Sequence, residues 1–243
     1  MPVRSHMSTA TQRASIAFML AASSLLPTQA RAEDTDDRAW APQCPGAAAW
    51  LDAHPEQSEE AMKTRDAARP LREPGLRDEL ERRVNAEQAA RQRYVSNGYR
   101  ERDRQTAFRL DGENYNWLTN QLKGREFPTA EDIGEYGLHL MWLLVHHADR
   151  DPQFQLDMLR QFEIRWQRRE FASDDLARLT DRILRKSGRP QRYGTQHDWA
   201  GALQQGLAVA NLTDIDRARA DIGLMPLKDY GCMMHELRKS TAR

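Results

Sequence analysis

Cysteine is nearly missing from this chain: two residues in 243. Two thiols cannot build a disulfide framework or a four-cysteine zinc site. An excess of either charge is missing too, with 36 Lys+Arg against 36 Asp+Glu. That balance excludes a strongly basic nucleic-acid binder and a long acidic tail. No apolar run approaches the roughly 20 residues a membrane-spanning helix needs. There is no G-x-S-x-G elbow, no phosphate-binding glycine loop, no dinucleotide fingerprint, no zinc-finger spacing and no His-Glu-x-x-His. No segment alternates with period two between hairpin turns, which removes the sheet classes.

What is present begins with an address. Arg4 and Arg13 precede the apolar stretch Ser15 to Leu26, Pro27 follows, and Ala30-Arg31-Ala32 offers small residues where a signal peptidase reads. These marks predict a secretory signal peptide over residues 1–32 and a periplasmic or secreted mature chain with no membrane span. Cleavage there removes three arginines and no acid, leaving 33 basic against 36 acidic residues. Export changes the reading of Cys44 and Cys232, because disulfides persist in oxidising compartments. They form either a bridge joining the two ends of the mature chain or two separate thiols; spacing does not decide between these.

The mature chain reads as helices. Residues 33–74 form a linker with short helices over 47–53 and 56–68, punctuated by Pro55, Pro70 and Pro74. A domain over 75–238 follows, with a tail at 239–243. Leu76, Leu80, Val84 and Val95 mark an amphipathic helix ending near Asn97-Gly98. A short helix is expected over 114–122. The stretch from Tyr99 to Arg109 alternates arginine with acid and reads as a solvated face. Residues 138–148 are apolar on most faces, so that helix is expected at the centre. Asp151-Pro152 opens the next helix in the order N-cap, then proline at N1, and it runs to about Glu170. Further helices are expected from Ser173 to Gly188, from Thr213 to Gly223 and over 227–237. The fold class predicted is all-α, a multi-helix domain.

The densest titratable cluster is His146, His147 and Asp149. On a continuing helix His146 and Asp149 share a face, with His139 two turns earlier, while His147 turns toward Leu140, Leu143 and Leu144. Imidazoles beside a carboxylate suit proton transfer or a metal, although one helix supplies too few ligands by itself. Asp181-Arg182 lies on an amphipathic helix, where Asp181 can pair with Arg185. Gln191, Tyr193, Gln196 and His197 fall in a polar loop after a Gly-Arg-Pro stop, and loops on helical scaffolds often present ligands. Glu87 and Arg91, four apart, form a helix-surface pair in the plain reading.

Several ordered motifs resemble the uncharacterised bacterial domain-of-unknown-function family 6624. They are Leu76-Arg-Asp-Glu-Leu80, Glu87-Gln88-x-x-Arg91, Asp111-x-x-Asn114, Phe127-Pro128, Trp142 to Asp149 and Asp151-Pro-x-Phe154. Leu179-Thr-Asp-Arg182, Gly188-x-Pro-Gln191-x-Tyr-Gly-Thr-Gln196, Asp216-x-x-Arg219 and Gly223 to Tyr230 complete the series. The family tends to carry Asp where Glu87 stands, Trp where Phe127 stands and Gln where His146 stands. The resemblance implies His147, Asp149, Asp181, Arg182, Gln191, Tyr193 and Gln196 as candidate positions, and implies no reaction.

Two functions follow as expectations. The favoured one is a module that binds a small polar ligand or a partner peptide through Arg182, Gln191, Tyr193 and Gln196, with Glu87 and Arg91 beside them; Arg, Gln and Tyr recognise well and are poor bases. The alternative is an exported hydrolase, metal-dependent or not, using His147 with Asp149 or Asp181. The residues name neither a cofactor nor a metal.

Overall fold

Apolar spacing and capping residues together account for most element boundaries in the computed structural model, which describes residues 38–196 and 211–241. The expected leader, residues 1–32, and His197 lie outside them. The elements described here belong to the unit Trp40–Arg243. In order they are α1 (Pro45–Ala53), a 3₁₀ turn (Pro55–Gln57), α2 (Glu59–Ala67), α3 (Pro74–Ser96) and α4 (Glu101–Leu122). There follow α5 (Ala130–His146), α6 (Pro152–Gln167), α7 (Ser173–Lys186), α8 (Leu212–Asp221) and α9 (Leu227–Thr241). Among the described residues there is no strand, and the all-α expectation holds.

Two elements are longer than the sequence suggests. α4 runs unbroken from Glu101, so the solvated arginine stretch and the short helix at 114–122 are one helix. Its buried stripe is Asp103, Ala107, Asn114 and Leu118, only half of it apolar, which hides the periodicity. On its outer face Arg104–Glu101 and Arg109–Glu113 pair at helical spacing, and such solvent-exposed pairs add little to stability. α5 starts at Ala130 rather than near Leu138, through a Thr129–Asp132 capping box, and it bends at Gly134. There φ is +81°, and a Cβ would sit 2.1 Å from Asp66 Oδ2. The Asp66 carboxylate accepts from the N–H groups of Glu135 (2.8 Å) and Tyr136 (3.0 Å), capping the second half of α5.

α5 is the central helix, as its composition predicts. It packs against α2, α3, α4, α6 and α7, and Ile133, Leu138, Leu140, Met141, Leu144 and Val145 are buried in the main core with Leu80, Leu118, Phe162 and Leu179. Truncating one such Leu or Met to Ala is expected to cost about 2–5 kcal/mol. A second cluster joins Trp40, Ala47, Ile215, Met225, Leu227 and Tyr230, so α1 lies on α9. Cys44 and Cys232 are bridged across this cluster, which resolves the alternatives left open by their spacing.

α5 is also pinned to α7 by His139 Nδ1 and Asp175 Oδ2, 2.6 Å apart and largely buried. Burial presses His139 toward the neutral form, but the charge and hydrogen bond of Asp175, helped by Glu59 and opposed by Arg178, leave its pKa raised. Asp175 is also raised, by burial first and by Asp174, with His139 and Arg178 opposing. Both groups therefore hold protons more tightly folded than unfolded. For His139 this contribution is complete below its unfolded value of about 6.5 and is lost as pH rises through the folded value. Stability from urea melts should decline above about pH 6.5, by at most about 1.4 kcal/mol per pH unit. The decline should flatten in His139→Gln; an unchanged slope in that variant would place its source elsewhere.

Candidate functional site

The α3 turn that carries Glu87 faces inward, and four residues on Arg91 lies above it. Glu87 is a fully buried carboxylate at 0% exposure. It is not the surface pair that spacing alone suggests. Arg91 Nε donates to Glu87 Oε1 at 2.9 Å, and Arg91 Nη2 donates to Asp111 Oδ1 of α4 at 2.7 Å. One α4 turn further, Asn114 accepts from Arg83 Nη1 at 3.2 Å and lies 3.5 Å from Glu87 Oε2 through its amide nitrogen. The third helix, α5, ends here. His147 is its C-cap, with φ −94° and ψ 0°, and its backbone N–H still bonds Leu143. That cap geometry turns the ring into the α3–α4 seam, where Nδ1 contacts Glu87 Oε1. The nitrogen is buried and makes no well-directed hydrogen bond.

Glu87, Asp111 and His147 each place a ligand-type atom within 4.8 Å of the others. Their side chains are 0%, 13% and 16% exposed, so the cluster is enclosed without being sealed. The two carboxylates are driven apart. Burial pushes Glu87 up, but contact and charge from His147 and Arg91 outweigh it and hold the group below its usual range. Asp111 is raised, by burial first and by the like charge of Glu87, with Arg91 and His147 opposing. Paired carboxylates with opposite shifts are a common arrangement where one group keeps its charge and the other exchanges a proton.

His146 points elsewhere. Its ring lies 4.9 Å from Trp142 and edge-on to His147 at 5.3 Å. Burial foremost, then the charges of Arg182, His147, Arg178 and Arg91, depress its pKa strongly, so it is a neutral imidazole. Beneath the end of α5, Gln155 Nε2 donates to the carbonyls of Val145 (3.0 Å) and His146 (3.1 Å), fixing where His147 begins.

The other sequence candidates sit in a separate arrangement. Asp149 takes a two-pronged bond from Arg182 at 2.9 and 2.6 Å, and Lys186 Nζ is 2.5 Å away. Burial raises the Asp149 carboxyl, but Arg182 and Lys186 outweigh it and lower it. Asp181, at 0% exposure, accepts from the backbone N–H groups of Arg192, Tyr193 and Thr195 and from the Thr195 hydroxyl, all within 2.7–3.0 Å. Gln191 Nε2 donates to the Gln196 carbonyl and Gln191 Oε1 accepts from the Gln196 N–H, both at 2.8 Å. Gln196 Nε2 reaches the Arg178 carbonyl at 3.2 Å. Tyr193 is buried with Ala177 and Leu224, and its carbonyl accepts from buried Arg219 at 2.7 Å. These polar groups close a loop onto α7. The partner of the His147 ring is Glu87, while the carboxylates of Asp149 and Asp181 are engaged by Arg182, Lys186 and the loop.

Of the sequence candidates, the structure brings Glu87, Arg91 and His147 together and adds Asp111 and Asn114. Both additions stand in the Asp111-x-x-Asn114 motif. The sequence does not single them out, because the helix carrying them reads as interrupted just before residue 114. An acid and an amide three apart are a usable signal only once the helix is known to be continuous.

Comparison with curated proteins and with solved structures finds no match. The model of a family of unknown function, DUF6624, matches residues 74–239, a span that holds every residue of both arrangements. On that match, which covers well over half of the sequence, the chain belongs to the DUF6624 family.

Proposed function

We propose that this chain is an exported hydrolase whose site is the Glu87–Arg91–Asp111–His147 cluster, acting on a small polar substrate. The observation that carries the reading is the meeting of a buried carboxylate, a second carboxylate and an imidazole from three helices within 4.8 Å. Asp111 bears the cost of this enclosure, because burial and the like charge of Glu87 hold its carboxyl above the usual range even with Arg91 beside it, a pattern common at sites that exchange protons. Proton transfer and activation of water are what this donor set can perform. With Nδ1 buried against Glu87, Nε2 is the His147 nitrogen left for proton exchange. Arg91 holds one oxygen of each carboxylate and so fixes both. The binding-module reading loses support because Arg182, Gln191, Tyr193 and Gln196 are engaged internally. Export is supported by the leader pattern and by the Cys44–Cys232 bridge, which persists in oxidising compartments.

The test is a panel of ester, phosphoester, amide and glycoside substrates run on the protein and on His147→Ala and Glu87→Gln, with circular dichroism to verify folding. Turnover of at least one class is expected, falling about 10²-fold or more in both variants, the usual scale for a lost acid–base group. Turnover that survives both substitutions would sink the assignment.

A further inference from the structure

We infer that Glu87, Asp111 and His147 are protein ligands of one divalent transition-metal ion. The inference rests on the reading above, that this cluster is the functional site, and names what the site uses.

Geometry comes first. The three candidate ligand atoms lie within 4.8 Å of one another and come from three separate helices, so the scaffold fixes their spacing. Atoms bonded to one metal at about 2.0–2.2 Å lie at most about 4.4 Å apart, so a spread of up to 4.8 Å closes on an ion with a shift of a few tenths of an ångström in one side chain. The second observation concerns His147. Its Nδ1 is buried, faces the carboxylates and touches Glu87 Oε1 without making a directed hydrogen bond. A buried imidazole nitrogen aimed at two carboxylates without a directed hydrogen bond is placed to serve, with them, as a ligand to one shared cation.

The carboxylates leave capacity for the ion. Arg91 engages Oε1 of Glu87 and Oδ1 of Asp111, one oxygen of each. Each carboxylate has about four lone-pair sites, so coordination does not require Arg91 to leave. Arg91 and Asn114 then orient the ligands from behind, as outer groups around metal sites commonly do. Charge agrees: two carboxylates share one guanidinium, that of Arg91, in a largely enclosed space.

The ligand set selects the ion class. One imidazole with two carboxylates suits manganese(II), iron(II) or zinc(II). Calcium takes six to eight oxygens, and the absence of thiolate disfavours copper(I). Such an ion acidifies bound water, which is the activation that the proposed hydrolysis needs.

The test uses the full purified chain, dialysed against chelator and titrated with Mn²⁺ and Zn²⁺ by calorimetry and with Co²⁺ by visible absorption. One ion per chain is expected, with a Co²⁺ ligand-field band. Affinity should fall at least tenfold in His147→Ala and in Asp111→Asn and be unchanged in His235→Ala, which alters an exposed histidine. Should a ligand variant not fold, Mn²⁺ should broaden the His147 ring resonances of the unaltered protein and leave those of His235 sharp. No stoichiometric binding, binding indifferent to both ligand substitutions, or broadening centred on another histidine would overturn the metal. Turnover lost in His147→Ala without any metal binding overturns the metal and keeps the hydrolase. Stoichiometric binding at these residues with no turnover across the panel does the reverse.

Discussion

Replacing Asp181 by alanine is expected to destabilise the protein by about 3–5 kcal/mol, a large loss for a single polar substitution. The carboxylate is fully buried and serves three backbone N–H groups and one hydroxyl of residues 192–195. Removing it leaves buried donors unsatisfied, each at about 1–3 kcal/mol, less whatever water recovers. The loss spreads, because the loop is held by reciprocal bonds. Once Tyr193 lifts from Ala177 and Leu224, Arg219 loses the carbonyl it donates to, and the Gln191–Gln196 exchange has no platform. Asp181→Asn should be milder than alanine yet still harmful, since the new amide NH₂ faces donors. Urea unfolding of both variants would check this. A loss under about 1 kcal/mol in alanine would show that water replaces the carboxylate, contrary to the burial. Any fall in turnover should track the fraction unfolded, which separates Asp181 from the site.

How much of this was legible in the sequence depends on which physical rule each element follows. The central helix was visible because Leu138 to Val145 is apolar on nearly every face, and α6 because Asp151-Pro152 caps it in the standard order. α4 was not, because half its buried stripe is Asp103 and Asn114, whose burial is compensated by partners on other elements. The first turns of α5 were hidden for a similar reason: Gly134 reads as a breaker until Asp66, 68 residues earlier in the chain, caps the turn beyond it. The site divides along the same line. His147 was legible from its cluster, but its partner could not be, since Glu87 lies 60 residues away and looks like one half of a surface i,i+4 pair. Asp149 and Asp181, closer in sequence, were the natural partners to name, and Arg182 and the loop amides claim them instead. Titratable type can be read from a sequence; whether burial has left a charge incompletely paired requires the fold.

That distinction yields the second large effect. Asp111→Asn should leave the protein as stable as before, or more so, while lowering cation affinity at least tenfold and turnover of any substrate found by about 10²-fold or more. The Asp111 carboxyl is raised in the folded state by burial and by Glu87, despite Arg91 and His147. A raised folded value means that ionised Asp111, the form present in the unfolded chain at neutral pH, is disfavoured by the fold, and this penalty appears only above the unfolded value of about 3.9. Asparagine removes the charge and keeps an oxygen for the 2.7 Å bond from Arg91, whose guanidinium is still neutralised by Glu87. Relief of such a penalty is typically worth about 0.5–2 kcal/mol, or about 2–4 °C in melting temperature per kcal/mol for a chain of this size. Glu87→Gln should behave differently: Glu87 is held below its usual range, so its charge stabilises the fold at neutral pH and its loss should lower the melting temperature. Thermal melts at pH 7 on the two variants, beside the cation titration, decide the matter. A melting temperature that drops in Asp111→Asn as it does in Glu87→Gln would make Asp111 one more structural acid. A stable Asp111→Asn protein that no longer holds the ion would mean that the fold tolerates this charge against its own stability because the chemistry requires it.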